Sequence, residues 1–162
     1  MKNKIFKNKI FLFIFACLVS YLPGIIGSFF TINAIKSWYV YLEKPIFNPP
    51  NWIFSPVWTL LYFLIAISFY FILISKNKKS NFKKVLILFI LHFILNASWS
   101  IIFFKLQFIL LALINIILLC IIVFFLILET YKINKKSAYL LIPYLLWITF
   151  ASYLNLSIFL LN

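Results

Sequence analysis

The sequence predicts an all-α integral membrane protein: a five-helix bundle built as a single domain over residues 1–162. Three observations predict it. The chain is 66% hydrophobic and only 10% charged, with a mean hydropathy of +1.13, which is more apolar surface than a soluble domain of this length can cover. The apolar residues gather into five runs, each near the roughly 20 residues that cross a bilayer at 1.5 Å rise per residue. The cations gather in short clusters between those runs, as they do at membrane flanks.

The first run covers 10–32 and follows the basic segment MKNKIFKNK. A basic then apolar start resembles a secretory signal, and the residues before Cys17 faintly suggest a lipoprotein cleavage site. The run continues past Pro23 without a clear small-residue cleavage site, so it reads as an uncleaved first helix. Residues 33–52 form a first loop dense in Trp and Pro and without helical period, which reads as a structured lid rather than a tether. The remaining spans are 53–75, 85–104, 108–131 and 138–161. Short polar connections separate them, which implies antiparallel neighbours in a compact bundle. No internal repeat at a fixed period is present, nor the paired broken helices of an inverted-repeat transporter.

The lysines set the orientation. With five spans, one side carries Lys2, Lys4, Lys7, Lys9, Lys76, Lys78, Lys79, Lys83, Lys84, Lys132, Lys135 and Lys136. The other side carries Lys36, Lys44 and Lys105. This bias predicts a cytoplasmic N-terminus, an external C-terminus and a lid on the outer side, in what reads as a bacterial cytoplasmic membrane.

The net charge of +13 comes entirely from Lys, with no Arg. Nucleic acid is not the predicted partner, because bidentate phosphate and guanine recognition favours Arg. The predicted partner is the lipid bilayer. Two carboxylates, Glu43 and Glu129, and one imidazole, His92, supply neither an acid–base pair nor a metal cluster. Cys17 and Cys120 sit in apolar runs and read as small packing residues. No obligatory cofactor is predicted.

Polar and aromatic residues do align. His92, Asn96, Trp99 and Phe103 fall at i, i+4, i+7 and i+11, on one face of the third span. Amide and imidazole groups are costly to bury unpaired, so this face turns from lipid, either as interhelical glue or as a cavity wall. Trp147, Ala151 and Leu154 share a face of the fifth span, with Asn155 at its edge. Trp58 and Tyr62 are i, i+4 neighbours in the second span. Trp38 and Trp52 read equally as interfacial anchors. Together these faces can form an apolar pocket with sparse polar handles, the usual make-up of a small-molecule site.

The residues also carry a family pattern. Trp38-Tyr39, Leu42, Lys44-Pro45, Pro49-Pro50, Trp52, Pro56-Val57-Trp58 and Leu61-Tyr62 form its first block. Leu95-Asn96, Trp99 and Ile102-Phe103-Phe104 form the second; Pro143-Tyr144-Leu145, Trp147, Phe150-Ala151 and Leu154-Asn155 form the third, with Gly27-Ser28 in the first helix. On these motifs the chain resembles the TspO/MBR family, the tryptophan-rich sensory proteins related to the mitochondrial translocator protein, over nearly its whole length. The resemblance implies a five-helix bundle with a pocket beneath the first loop that binds tetrapyrroles such as protoporphyrin IX or haem, and related apolar aromatic ligands. By motif position it places Trp58, Tyr62, Asn96, Trp99, Phe103, Trp147, Ala151 and Leu154 on the pocket. Lys36, Lys44 and Lys105 are then the cations available to propionates, and His92 is a candidate for haem iron. Three activities fit: porphyrin binding for sensing, handling or transport; light-dependent porphyrin breakdown, with Trp58 and Trp147 as candidate catalytic partners; and regulation through a partner protein. The chain departs from the family at Leu156 and Leu160, where the sterol-associated motif has Tyr and a cation. It departs also at Ile87 and Leu91, where some members carry the small residues of a homodimer interface, at Asn115, where an acid is common, and at Phe47, where Trp is common.

Overall fold

The computed structural model describes residues 2–75 and 82–162, with residues 2–7 described as backbone only. Five long helices account for it: α1 Lys2–Ser37, α2 Asn51–Leu73, α3 Phe82–Ser100, α4 Ile109–Ile133 and α5 Lys135–Leu161. All five are long and apolar enough to cross a membrane. No strand occurs among the described residues.

Several boundaries differ from the sequence reading. α1 runs on to Ser37, because Ala34 buries its face and Ile35 packs beside Tyr39. Asn51 and Trp52 open α2 directly after Pro50, so the irregular lid shortens to residues 38–50. α3 ends at Ser100 in a wider π turn, Ile101–Lys105, closed by the Leu106 N–H donating to the Ile101 carbonyl at 3.0 Å. Gln107 follows in the left-handed region at φ 58° and redirects the chain into α4. Asn134 alone joins α4 to α5. Its N–H donates to Thr130 at the end of α4, and its side-chain oxygen accepts from the Lys136 and Ser137 amides. That gives α5 an Asn N-cap and lets two helices reverse direction at one residue.

The helices pack as a closed ring in the order α1, α2, α5, α4, α3 and back to α1. Most of the outward surface is large and apolar, for example Leu18, Phe29, Ile94, Phe124 and Leu146, which are all exposed. Such a belt is what lipid requires, where each backbone polar group is satisfied within its own helix. With lipid outside, packing and interhelical hydrogen bonds hold the helices together. The lid-distal half of the bundle holds a solid core around Ile65, Phe69, Phe89, Leu126 and Leu141. There α2 and α5 meet through a reciprocal pair: Ser68 Oγ donates to the Ser137 carbonyl at 2.9 Å, and Ser137 Oγ donates to the Ser68 carbonyl at 2.8 Å. At the same end Glu129 of α4 accepts from Lys84 of α3 at 2.8 Å and from Lys132 at 3.0 Å. The side chains of Lys2, Lys4 and Lys7, and Lys76, Lys78 and Lys79 altogether, lie outside the described residues.

Candidate functional site: a roofed cavity in the lid-side half

The core is not solid towards the lid. A cavity of about 480 Å³ opens there, walled by residues of all five helices and by Tyr39 of the lid. Trp58, Tyr62, Asn96, Trp99, Phe103, Trp147, Ala151 and Leu154 all stand on its wall. Helical spacing brings each set to one face, and the ring order turns those faces towards one another.

The aromatic walls are ordered by their own contacts. Trp58 stacks on Tyr62 with centroids 5.4 Å apart and planes at 27°. Trp99 stacks on Phe103 at 5.2 Å and 16°. Trp147 meets Phe54 edge-on at 5.9 Å. The π turn carries both Phe103 and Phe104 to the cavity. Ala151 keeps the α5 wall low between them.

A chain of buried polar groups runs inward from the wall. Tyr62 donates to Asn96 Oδ1 at 3.0 Å, Asn96 Nδ2 donates to the Tyr144 oxygen at 2.8 Å, and Tyr144 lies 3.0 Å from His92 Nε2. The Tyr144 oxygen already accepts from Asn96, so its hydroxyl donates to His92 Nε2, which leaves the ring N–H on Nδ1. The chain ties α2, α3 and α5 with neutral groups only. A second chain ties α3, α5 and α4: Trp99 Nε1 donates to Asn155 Oδ1 at 3.1 Å, and Asn155 Nδ2 donates to the Ile109 carbonyl at 3.0 Å. The Trp147 indole N–H is buried without a protein acceptor. Both hydrogen-bonded stripes therefore act as glue and as wall at once, resolving the alternative that periodicity left open.

His92 does not stand where a haem ligand would, and the three candidate propionate contacts lie on the lid side of the chain rather than on the wall. His92 is buried behind Asn96 and Tyr144, off the cavity wall, with Nε2 engaged by the tyrosine; it is not placed to reach an iron in the cavity. Lys36, Lys44 and Lys105 are likewise absent from the wall. Lys44 Nζ donates to the Leu42 carbonyl at 2.8 Å and lies 4.7 Å from the Tyr39 ring centroid, and Lys105 Nζ lies 5.1 Å from the centroid of Phe30. The physical reason is desolvation, since an unpaired ammonium among indoles is costly. Trp52 is exposed at the start of α2, as an interfacial anchor is, and Trp38 packs edge-on against Phe103 at 5.4 Å.

The α1 wall was not legible from aromatic pattern. Gly24, Gly27, Ser28 and Thr31 line the cavity at i, i+3, i+4 and i+7. That run of small residues in a helix otherwise built of Phe, Ile and Leu was the available signal. A side chain on Gly24 would run into the Tyr62 ring, and one on Gly27 would put its Cβ 2.7 Å from Ser100 Oγ. The two glycines thus set how closely α1 approaches α2 and α3.

The lid is held by short-range bonds. Trp38 and Tyr39 pack on Phe103, and Tyr39 also on Phe104. The Asn48 amide closes a turn on Pro45 at 2.9 Å. Asn162, following α5, pairs with the Glu43 backbone in both directions: its oxygen accepts from the Glu43 N–H at 3.0 Å and its NH₂ donates to the Glu43 carbonyl at 3.1 Å. Burial pushes the Tyr39 phenol above its ordinary range, offset in part by its hydrogen bond to Asn48, so the lid contact is neutral at physiological pH.

Comparison with known proteins agrees with this architecture. The profile of the TspO/MBR family matches residues 13–161. The tryptophan-rich protein TspO of Archaeoglobus fulgidus is 48% identical over 139 residues, covering 86% of this chain and 89% of the relative. The protein of the same name from Chlorobaculum tepidum is 39% identical over 139 residues, covering 86% and 88%. The human translocator protein is 31% identical over 133 residues, covering 80% and 78%. A match over nearly the whole chain, with the cavity built from the motif residues, establishes that this protein belongs to the TspO/MBR family.

Proposed function

We propose that this membrane protein binds a flat, apolar, aromatic ligand of the tetrapyrrole class, protoporphyrin IX or haem, in the cavity beneath the lid, and so serves porphyrin sensing, handling or transport. The observation that carries the reading is the wall itself. Trp58, Trp99 and Trp147 converge from three helices on one cavity of about 480 Å³, within the range of small-molecule sites. Each indole offers stacking worth about 0.5–1.5 kcal/mol beyond burial. The names of relatives, translocator protein and tryptophan-rich sensory protein, are in keeping with transport or sensing. With no lysine on the wall among the described residues, ligand carboxylates would sit at the cavity rim, and haem would be held by its ring rather than through His92. Lys83, Lys84, Lys132, Lys135 and Lys136 lie at the end away from the lid. That end is proposed to be cytoplasmic, with the lid outside.

Titration of protoporphyrin IX into the purified protein, followed by tryptophan fluorescence, tests the site. Saturable quenching is expected, and a Trp58→Phe, Trp147→Phe double variant should bind about tenfold more weakly, equivalent to about 1.4 kcal/mol of stacking. Unchanged affinity in that variant would remove the cavity from the explanation. The two indoles share the cavity wall, so light-dependent breakdown is a second reading that the same samples address. Loss of porphyrin absorbance under illumination, absent in the dark and dependent on either Trp, would establish it.

A further inference from the structure

The cavity wall is unevenly exposed. Its residues from α3, α4 and α5 are buried or half-buried, and Tyr39 of the lid is buried. Its exposed residues are all on α1 and α2: Ile25, Ser28 and Ile32 on one, Asn51, Ser55 and Thr59 on the other. We infer that the ligand passes in and out sideways, between α1 and α2, directly from the bilayer, beneath a lid that stays fixed as a roof. This rests on the proposed ligand class and adds its route.

The edges of the mouth follow from contacts. Below it, α1 and α2 are pinned by the Tyr21 hydroxyl donating to the Thr59 carbonyl at 3.0 Å and by the Tyr21–Tyr62 ring contact at 5.9 Å. Farther from the lid, Phe13 packs on Tyr70 at 5.4 Å. Above it, the roof is held by the two Asn162–Glu43 bonds and by Tyr39 on Phe103 and Phe104. The mouth lies in the lid-side half of the helix Asn8–Ser37, and its lid-side edge at Asn51 adjoins the interfacial Trp52, so it opens from the level of the interface into the apolar belt. Its hydroxyls suit that position. Ser28 Oγ donates to Ile25, and Thr59 Oγ1 to Ser55, along their own helices. These two hydroxyls therefore carry no unsatisfied donor into lipid, while Ser55 and Asn51 bring their polar groups to the lid-side part of the mouth. The apolar macrocycle meets no desolvation barrier at such an opening and its carboxylates can stay at the lid-side edge, whereas the roof route requires breaking the latch and lifting aromatic contacts.

The test uses the full chain in lipid vesicles preloaded with protoporphyrin IX, with porphyrin emission read by rapid mixing. Ser28→Phe and Ser55→Phe narrow the mouth, and Ile32→Trp, at an exposed position, is the fallback if either fails to fold. Association and dissociation rates should both fall by about tenfold, the signature of a gate, since a lost contact would speed dissociation instead. Asn162→Ala, which frees the roof, should leave both rates at the wild-type value. Unchanged rates in the mouth variants, or faster rates in Asn162→Ala, would overturn the inference. A second arm needs no porphyrin: a phospholipid with a diazirine near its acyl terminus should label Trp58 or Leu119 inside the cavity, and lose that labelling in Ser55→Phe. Labelling confined to outward residues such as Leu18 and Phe29 would overturn it. If the wild-type protein binds no porphyrin, the ligand assignment fails, and the acyl-chain labelling decides the mouth by itself.

Discussion

Replacing Asn96 by Leu is the sharpest probe of the inner polar chain. The side chain is buried, and Leu keeps its branching and heavy-atom count while bringing larger methyl groups, so some overpacking adds to the loss. Two hydrogen bonds disappear, from Tyr62 at 3.0 Å and to Tyr144 at 2.8 Å. The Tyr62 hydroxyl is left without its acceptor. Side-chain hydrogen bonds between membrane helices are worth about 0.6 kcal/mol on average and up to about 1.7. An orphaned buried donor adds about 1 kcal/mol or more. The expected loss is therefore about 2 kcal/mol, roughly a thirtyfold shift in the folding equilibrium. Reversible unfolding in mixed micelles, followed by near-UV circular dichroism, measures it. Tyr62→Phe removes only the first bond and leaves an acceptor, which tolerates loss better than a donor, so it should cost less than half as much. In a double-mutant cycle the two changes should be strongly non-additive. A loss below about 0.5 kcal/mol for Asn96→Leu, within the range of ordinary surface substitutions, would refute the view that this chain joins α2, α3 and α5.

Three further outcomes are expected. Gly27→Ala should destabilise by up to about 1 kcal/mol, because crowding against Ser100 more than offsets the helix propensity gained, and Ser100→Ala should recover that loss in the same unfolding assay. Gln107→Gly should raise stability by about 0.5–1 kcal/mol, because φ 58° costs an L-residue more than glycine loses in backbone entropy. Ala151→Trp should put an indole into the cavity and weaken protoporphyrin IX binding at least tenfold; retained affinity would place the ligand elsewhere.

Much of this protein was legible in one dimension. Span number and approximate position follow from hydropathy, because a bilayer imposes length and apolarity on each helix independently of its neighbours. The eight wall residues follow from helical spacing and motif, since Trp58 with Tyr62 and Asn96 with Trp99 sit on single faces whatever those faces meet. The lid was legible as proline-stiffened chain, though its ends were not: Ala34 and Ile35 continue α1 only because they pack under the roof.

What folding alone decided is which faces meet. In lipid a helix is largely apolar all round, so its few polar residues mark an inward face without declaring which neighbour that face meets. The ring order α1, α2, α5, α4, α3 therefore had to come from packing. So did the burial of His92 behind Tyr144, which withdraws the one imidazole from the cavity, and the neutral wall that leaves Lys36, Lys44 and Lys105 outside. The π turn at Ile101–Lys105 and the opening between α1 and α2 have the same origin. Each depends on how two helices rotate and approach, a property of pairs of segments that neither segment encodes by itself.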